Sequence, residues 1–385
     1  MPVPRFALED DAAFETKILI SGAGLGGLML GALLERAGVD FAIYEQADRY
    51  IRIGSAMALT ANVLPLLDQI GILPLVLERS KPVEKVECYN EKLKLFLPLQ
   101  YHHTEKFAGY LTRVIPHPDL YDILYSQVPE NKILWGKKIT CVQEDHHGVS
   151  INCTDGTSYR GQVVVGADGA HSGVRESIYK TLSEKGDLPR ADKEDVYFNG
   201  VCLLGETKVL KADKFPLLKE SSSIIQSMYG EKLPYYMTPC AGLGAVSALQ
   251  DAAILANYLD ALPPTRTWTQ QDITDAFRGF KDERYPHAKQ AFDHSRALDQ
   301  LMGKHWITGI SRAIAGRLPE WLWKMMLRRI IAHRPLASFL PQIELRGTVK
   351  PSPQPSLSLK LARTNTNTTS TTHATSNTDA AGSMR

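Results

Sequence analysis

A glycine-rich loop directly after a short apolar segment constrains this chain more than any other feature. Residues 17–21 form a short segment with an apolar centre, Lys-Ile-Leu-Ile-Ser, and residues 22–27 read Gly-Ala-Gly-Leu-Gly-Gly. Residues 27–37 have the composition of a helix that Gly38 would end. A second apolar segment follows at residues 40–45. This order predicts a βαβ unit, because two parallel strands need a crossover of this kind between them.

Each glycine of the loop has a physical role if the loop holds a dinucleotide. Gly22 lets the chain turn sharply, Gly24 lets the backbone approach a diphosphate, and Gly27 lets the helix pack closely on the strand. The helix N-terminus adds N–H donors and partial positive charge. Glu45 ends the second strand, where a carboxylate can accept hydrogen bonds from ribose hydroxyls. The alternative is a structural glycine turn with Glu45 merely exposed.

Two later segments have a similar character. Residues 163–175 begin as an apolar strand and continue as Gly-Ala-Asp-Gly, which would point Asp168 and Gly169 at a ligand on the carboxyl edge of the sheet. The alternative role for Asp168 is a helix N-cap. Further on, Gly242 and Gly244 open a helix of small residues whose N-terminus could face a flat or anionic group. The alternative there is an ordinary core helix.

The composition excludes several classes of protein. Lys and Arg number 44 against 42 Asp and Glu, a net charge of +2, so nothing favours a nucleic-acid partner. The cysteines are scattered, and the histidine pairs 102–103 and 146–147 lack the spacing of metal ligands, so we expect no disulfide framework and no metal site. Residues 1–16 are too acidic for a secretory or transit signal, and no apolar segment could span a bilayer. We therefore expect an intracellular, cytoplasmic protein.

The hydrophobic pattern predicts further elements along the chain. The expected helices are 61–70, 119–127, 242–262, 273–285 and 287–302. The expected strands are 149–153 and 162–165, with a hairpin turn at Asp155-Gly156. The chain after residue 351 is dominated by Pro, Ser, Thr and Asn, which predicts disorder.

Together, in this order and spacing, the three glycine motifs resemble those of FAD-dependent aromatic-hydroxylase-type (group A) flavoprotein monooxygenases, and residues 16–355 look like a fungal member. The resemblance implies a Rossmann-like, doubly wound α/β FAD-binding domain, a reduced antiparallel β substrate region and a helical C-terminal part. It implies FAD as cofactor, NADPH or NADH as reductant, and O₂ and a small apolar or aromatic substrate as partners. The implied cofactor-binding residues are Gly22, Gly24, Gly27, Glu45, Gly54, Ser55, Arg113, Asp168, Gly169, Gly242, Gly244 and Ala245.

In such a hydroxylase or epoxidase the protein mainly positions the flavin and excludes water, so no catalytic acid or base is assigned. The sequence departs from the family pattern in places. His117 stands where the family usually carries an arginine, and we expect Arg113, four residues earlier, to take the place of that arginine. Lys232 stands where the third motif usually has a flavin-binding aspartate. The segment 176–236, which in the family roofs the substrate pocket, is short, and only 197–207 clearly predicts a strand. We therefore expect an internal deletion.

These features predict a division of the chain into consecutive regions. The regions are an N-terminal extension (1–16), an FAD-binding region (17–180), a truncated substrate-domain remnant (181–236), the third flavin motif and its helix (237–262), a C-terminal helical region (263–350) and a disordered tail (351–385). The segment 306–334 is basic and amphipathic. This pattern favours packing of a helix on the body of the protein, and the alternative is contact with a membrane surface.

Two other functions compete with the monooxygenase. A catalytically impaired flavin-binding remnant, or a mispredicted gene product that lacks part of the substrate domain, is favoured by Lys232 and by the short segment 176–236. A flavin halogenase or reductase would keep the cofactor and change the reaction, but the tryptophan-rich motif associated with the halogenases is not evident in the sequence.

Overall fold

The computed structural model describes residues 16–50, 54, 56–90, 94–146, 148–193, 211, 213–214, 223–229, 243–264, 267–302 and 319–359. The strands are β1 (Ile18–Ser21), β2 (Phe41–Tyr44), β3 (Ala56–Leu59), β4 (Lys81–Asn90), β5 (Leu95–Gln100), β6 (Arg113–Pro116), β7 (Ile133–Leu134), β8 (Ile139–Asp145), β9 (Gly148–Cys153), β10 (Ser158–Gly161), β11 (Val163–Gly166) and β12 (Ser223–Tyr229). The α-helices are α1 (Leu25–Ala37), α2 (Leu64–Gln69), α3 (Leu73–Glu78), α4 (His103–Ala108), α5 (His117–Tyr125), α6 (Gly173–Lys185), α7 (Leu243–Asp260), α8 (Gln270–Met302) and α9 (Glu320–Ala332).

A parallel sheet in the order β11-β1-β2-β7 contains the two strands that flank the glycine loop and its helix. The central strand β1 pairs with β2 on one side and with β11 on the other, both in parallel. Its residues Ile18, Leu19 and Ile20 are fully buried, because both faces of the sheet are covered. Helix α1 ends at Gly38, which has φ 69°. The predicted βαβ unit and the α/β fold class are confirmed.

A second sheet lies outside the parallel one and has the order β12-β4-β6-β3, with β5 on β4. Strand β4 runs parallel to β12 and antiparallel to β5 and β6. The sequence did not predict these strands, since β4 reads Lys-Pro-Val-Glu-Lys-Val-Glu-Cys-Tyr-Asn and its charged residues conceal the pattern. The strand expected at 197–207 lies outside the described residues.

A third sheet, β10-β9-β8, is antiparallel. The predicted turn at Asp155-Gly156 joins β9 to β10, and Gly156 has φ 84° there. A small apolar cluster that includes Leu19, Ile139 and Ile151 packs between this sheet and the parallel one. The segment that leads into β8 lies directly beside the carboxyl end of β2, because Lys137 donates to the carbonyl of Glu45.

Helices cover the other side of the parallel sheet. Helix α7 packs against α1 so closely that a Cβ on Gly26 would lie 3.3 Å from the Cβ of Ala248. Helix α8 is continuous and contains Pro286, so the expectation of two helices separated at that residue was wrong. A proline removes one N–H donor and tends to bend a helix, but it need not end one.

The C-terminal part of the described chain also packs on this helical layer. Ser356 is fully buried, and its hydroxyl donates a 3.0 Å hydrogen bond to Oε1 of Glu283 on α8. The expectation of disorder from residue 351 onward is therefore wrong for residues 351–359, which are anchored by buried polar contacts that composition does not reveal.

Among the described helices, none combines the length and apolar character needed to cross a membrane.

Candidate dinucleotide site

The glycine loop turns away from β1 in a conformation that favours glycine. Gly22 has φ 101°, and a Cβ at this position would lie 2.6 Å from the carbonyl oxygen of Ala167. The N–H of Gly22 donates to the carbonyl of Tyr44 (2.8 Å), and the N–H of Ala167 donates to the carbonyl of Ser21 (2.7 Å). The loop after β1 is therefore hydrogen-bonded to β2 and to the turn after β11, and the three chain segments meet at the carboxyl edge of the sheet.

The N-terminus of α1 offers hydrogen-bond donors to a ligand. Gly24 is the N-cap residue, no side chain caps the helix, and its first turn carries no acid. A Cβ on Gly24 would meet nothing within 4 Å, whereas one on Gly27 would lie 2.0 Å from the carbonyl oxygen of Gly22. Gly27 thus serves close packing, as predicted, and Gly24 borders open space. Uncapped N–H groups and the helix dipole make such a position suited to a diphosphate.

Glu45 immediately follows β2, and its carboxylate is held by backbone donors on both sides. The N–H of Ala23 donates to Oε2 (2.7 Å), and the N–H of Ala47 donates to Oε1 (2.9 Å). The backbone of Glu45 is fixed as well, because its N–H donates to the carbonyl of Leu134 and its carbonyl accepts from Lys137. Each carboxylate oxygen keeps further acceptor capacity, as the ribose of a bound nucleotide requires.

Asp168 lies in the turn between β11 and α6. Its Oδ2 accepts a 3.3 Å hydrogen bond from the N–H of Val174, while Oδ1 is buried and has no hydrogen-bond partner among the described residues. Ser172, not Asp168, is the N-cap of α6, since its hydroxyl accepts from the N–H of Arg175 at 3.0 Å. Buried carboxylate oxygens are normally paired, so Oδ1 is suited to accept a hydrogen bond from a ligand.

These elements enclose a cleft of about 260 Å³ at the carboxyl edge of the sheet. Its lining includes Ser21, Gly22, Gly24, Tyr44, Glu45, Gln46, Lys137, Lys138, Ile139, Ala167, Asp168, Gly169, His171 and Gly173. Of the cofactor residues predicted from the sequence, the cleft brings together Gly22, Gly24, Glu45, Asp168 and Gly169. Gly27 does not line the cleft but lies against Gly22 of the glycine loop.

Sequence reasoning missed the far wall of this cleft, which residues 137–139 form. The Nζ of Lys137 donates hydrogen bonds to Asp155 (2.5 Å) and Thr157 (3.2 Å). Hydrogen bonding to Asp155, and then to Tyr159, raises the pKa of Lys137. The sequence pattern did not reveal this wall, because β7, the strand that brings the segment beside β2, has only two residues. Its pairing with β2 depends on the folded sheet rather than on a local pattern.

Arg113, Gly54, Gly244 and Ala245 are described by the structure and are not among the residues that line the cleft. Arg113, on β6, donates to the hydroxyl of Ser80 (2.6 Å), the carbonyl of Ser80 (2.7 Å) and the carbonyl of Leu77 (3.2 Å) beside the end of α3. Gly54 has φ 145° and packs on His117, whose Nδ1 is buried without a hydrogen-bond partner in the described chain. Burial lowers the pKa of this imidazole.

The third glycine motif is described only from α7 onward. Gly244 is exposed and Ala245 is half-buried in the first turn of α7. Because Ala248 of α7 contacts Gly26 of α1, the first turns of the two helices are neighbours. Ser55, Gly242 and Lys232 lie outside the described residues. The roles of Arg113, Gly54, Gly244 and Ala245 toward a cofactor stay predictions.

A parallel sheet, a glycine loop leading into an uncapped helix and an acid at the end of the second strand together define a dinucleotide-binding α/β domain of the Rossmann type. Residues 15–204 match the family model described as "FAD binding domain". This part of the chain is therefore similar to FAD-binding domains.

Curated proteins with similar sequences match about half of the chain. The chain is 33% identical over 184 residues to the FAD-dependent monooxygenase pynG of Aspergillus niger, an alignment that covers 47% of this chain and 42% of pynG. It is 30% identical over 200 residues to the FAD-dependent monooxygenase verC1 of Penicillium polonicum, which covers 50% of this chain and 24% of verC1. The chain thus spans less than half the length of these relatives.

The fold is similar to that of Klebsiella pneumoniae HpxO, solved with FAD and uric acid. The TM-score is 0.58 at 17% identity, and the match covers 83% of this chain and 97% of HpxO. At this identity the likeness concerns the fold alone.

Proposed function

We propose that the protein is an FAD-dependent monooxygenase that uses NADPH or NADH and O₂ to hydroxylate or epoxidise a small apolar or aromatic substrate. The observation that carries the proposal is the convergence of Glu45, the N-terminus of α1 and Asp168 on one cleft. Two relatives that match about half of the chain are named FAD-dependent monooxygenases, which supports the reaction class.

The residues of the cleft fit the adenosine diphosphate part of FAD. Glu45 would accept hydrogen bonds from the ribose hydroxyls with the acceptor capacity that Ala23 and Ala47 leave free. The open space at Gly24 would admit the diphosphate against the N–H groups of α1. The unpaired Oδ1 of Asp168 would accept from a cofactor hydroxyl, which removes the cost of leaving it unpaired.

Bound FAD would supply the redox chemistry of the reaction, in which NAD(P)H provides the electrons and O₂ the transferred oxygen. The protein would hold the cofactor rigidly between the β1 loop and the turn after β11, whose backbones are hydrogen-bonded to each other. The reductant, the substrate class and the cytoplasmic location stay predictions from the sequence.

A flavin-binding protein without turnover is the competing candidate. Lys232 replaces the carboxylate expected in the third motif, and the chain covers only part of its relatives. This candidate shares the cleft with the enzyme, so only a measurement of electron transfer separates the two.

The test is the visible spectrum of the purified full chain after reconstitution with FAD and removal of free cofactor. The monooxygenase proposal expects bound flavin that NADPH or NADH bleaches anaerobically and that air reoxidises. Bound flavin that neither nicotinamide reduces would support the competing candidate. Absence of bound flavin in a protein with a cooperative thermal transition would overturn both.

A further inference from the structure

Helix α9 has an inner face that is fixed against the body of the protein. The indole N–H of Trp323 donates to the carbonyl of Gln100 (2.9 Å), and the Trp323 ring meets Tyr101 edge-on at a centroid distance of 5.6 Å. Leu327 and Ile331 follow on the same face and are buried. These contacts leave little freedom to rotate the helix, so its opposite face stays outside.

The outer face of α9 combines large apolar side chains with cations. Trp321 is 65% exposed and Met325, one turn later, is 54% exposed. The next turn carries Arg328 and Arg329, both exposed. Residues four and seven or eight positions apart share one side of a helix, so these four side chains form a single stripe. We call this stripe the outer face of α9.

The charge of this face is positive and only partly balanced. Glu320 is the sole acid of α9, and it is already shared between Lys324 (2.7 Å) and the imidazole of His103 (3.2 Å). Arg328 is exposed, and its guanidinium also lies over the ring of Phe107 at 4.7 Å. The whole chain has a net charge of only +2, so this cluster is a local concentration of positive charge.

We propose that the outer face of α9 docks on an anionic lipid surface. Trp321 and Met325 would enter the interfacial region, where an indole is favoured, and Arg328 and Arg329 would contact lipid headgroups. A second copy of the chain fits this face less well, because a two-fold contact would bring the cations of both helices together. The inference does not depend on the proposed oxidoreductase activity.

The experiment measures partitioning of the purified full chain onto sedimented vesicles of phosphatidylcholine, with and without phosphatidylserine. Binding should require phosphatidylserine and weaken as salt is raised. The pair Arg328→Gln and Arg329→Gln should lower partitioning by about 30-fold, as expected from the attraction of each cation to an anionic surface. The pair Trp321→Ala and Met325→Ala should lower it by about tenfold or more.

The matched control is the pair Tyr285→Ala and Phe292→Ala on α8, whose side chains are 61% and 64% exposed. This control removes comparable apolar surface elsewhere and should partition like the unchanged protein, with thermal melting confirming that every variant is folded. Equal binding to neutral vesicles, loss of binding in the control alone, or no binding at all would overturn the proposal. Light scattering that shows α9-dependent dimers without vesicle binding would assign the face to self-association instead.

Discussion

The backbone N–H of Ala23 donates a 2.7 Å hydrogen bond to the carboxylate of Glu45, which joins the glycine loop to the end of β2. A second backbone donor, Ala47, holds the other carboxylate oxygen. The carboxylate is therefore oriented by the backbone, so a ligand need not order it on binding. Such preorganisation strengthens binding by lowering its entropic cost.

Replacing Glu45 tests this arrangement directly. Glu45→Ala removes the charged acceptor for the ribose and also leaves the N–H groups of Ala23 and Ala47 unpaired. We expect the Kd for FAD to rise by about 10- to 100-fold, since hydrogen bonds to a charged group contribute about 1.5–3 kcal/mol. Quenching of flavin fluorescence during titration measures the Kd.

The control for this variant is Glu35→Ala on α1. Glu35 forms an ion pair with Lys132 at 2.9 Å and does not line the cleft. Its removal should leave the Kd unchanged. Equal affinity for FAD in Glu45→Ala and the unchanged protein would show that the carboxylate does not bind the cofactor.

Two glycines of the same loop should fail in different ways. A side chain at Gly24 meets no protein atom within 4 Å, so Gly24→Val should fold normally but block the diphosphate and abolish measurable FAD binding. A side chain at Gly27 would lie 2.0 Å from the carbonyl oxygen of Gly22, so Gly27→Val should destabilise the fold itself. Thermal melting of the apoprotein separates the two effects, and a Gly24→Val protein that binds FAD normally would refute the proposed diphosphate position.

The glycine loop and its flanking elements are the part of the site that could be predicted from the sequence. The strand, loop, helix and strand are consecutive, so local spacing sufficed to predict the βαβ unit and to place Gly22, Gly24, Gly27 and Glu45 together. Asp168 reached the same cleft because parallel strands share a carboxyl edge. Lys137 was missed because a two-residue strand carries no usable periodicity, and only its pairing with β2 brings the segment to the cleft.

Contacts that join distant segments were equally hidden. Asn257 of α7 is fully buried, its amide donates to the carbonyl of Leu336 (2.9 Å), and its Oδ1 accepts from the N–H of Ser338 (2.7 Å). In the sequence Asn257 is one of several polar residues in a helix that is otherwise rich in Ala and Leu. Its partners lie in an irregular segment after α9, which no local pattern connects to α7.

Asn257→Ala should therefore be strongly destabilising. The substitution leaves the N–H of Ser338 without its partner. It also removes one of the two donors to the carbonyl of Leu336, which keeps a hydrogen bond from Gln354. We expect a loss of about 2 kcal/mol in the free energy of unfolding. Urea unfolding followed by circular dichroism measures the loss. Asn131→Ala, at an exposed position, is the control and should change the free energy little. A loss below that of the control would mean that the C-terminal segment does not stabilise α7.

Acidification should destabilise the protein through a stacked pair of histidines, of which His333 is buried and His287 is half-buried. His333 stacks on His287 with a centroid distance of 3.5 Å, and its Nε2 has no hydrogen-bond partner among the described residues. Burial, together with the charges of His287 and Arg284, lowers the pKa of His333 to about 3. Burial likewise lowers the pKa of His287, and Arg284 adds to this shift.

The sign of the effect follows from where the proton binds. The unfolded chain takes up protons at these histidines below its ordinary pKa of about 6.5, whereas the folded chain resists them until about pH 3 for His333. The contribution of the histidines to the free energy of unfolding is therefore fully present above pH 6.5. It falls as the pH drops, by about 1.4 kcal/mol per pH unit for each histidine that stays neutral in the fold.

Urea unfolding at pH 7.5 and pH 5.5 measures this loss. His333→Phe keeps a stacking ring without a titrating proton and should reduce the loss, while His146→Phe, at an exposed position, should not. A free energy of unfolding that is unchanged or higher at pH 5.5 would show that the pair is not held neutral in the folded protein.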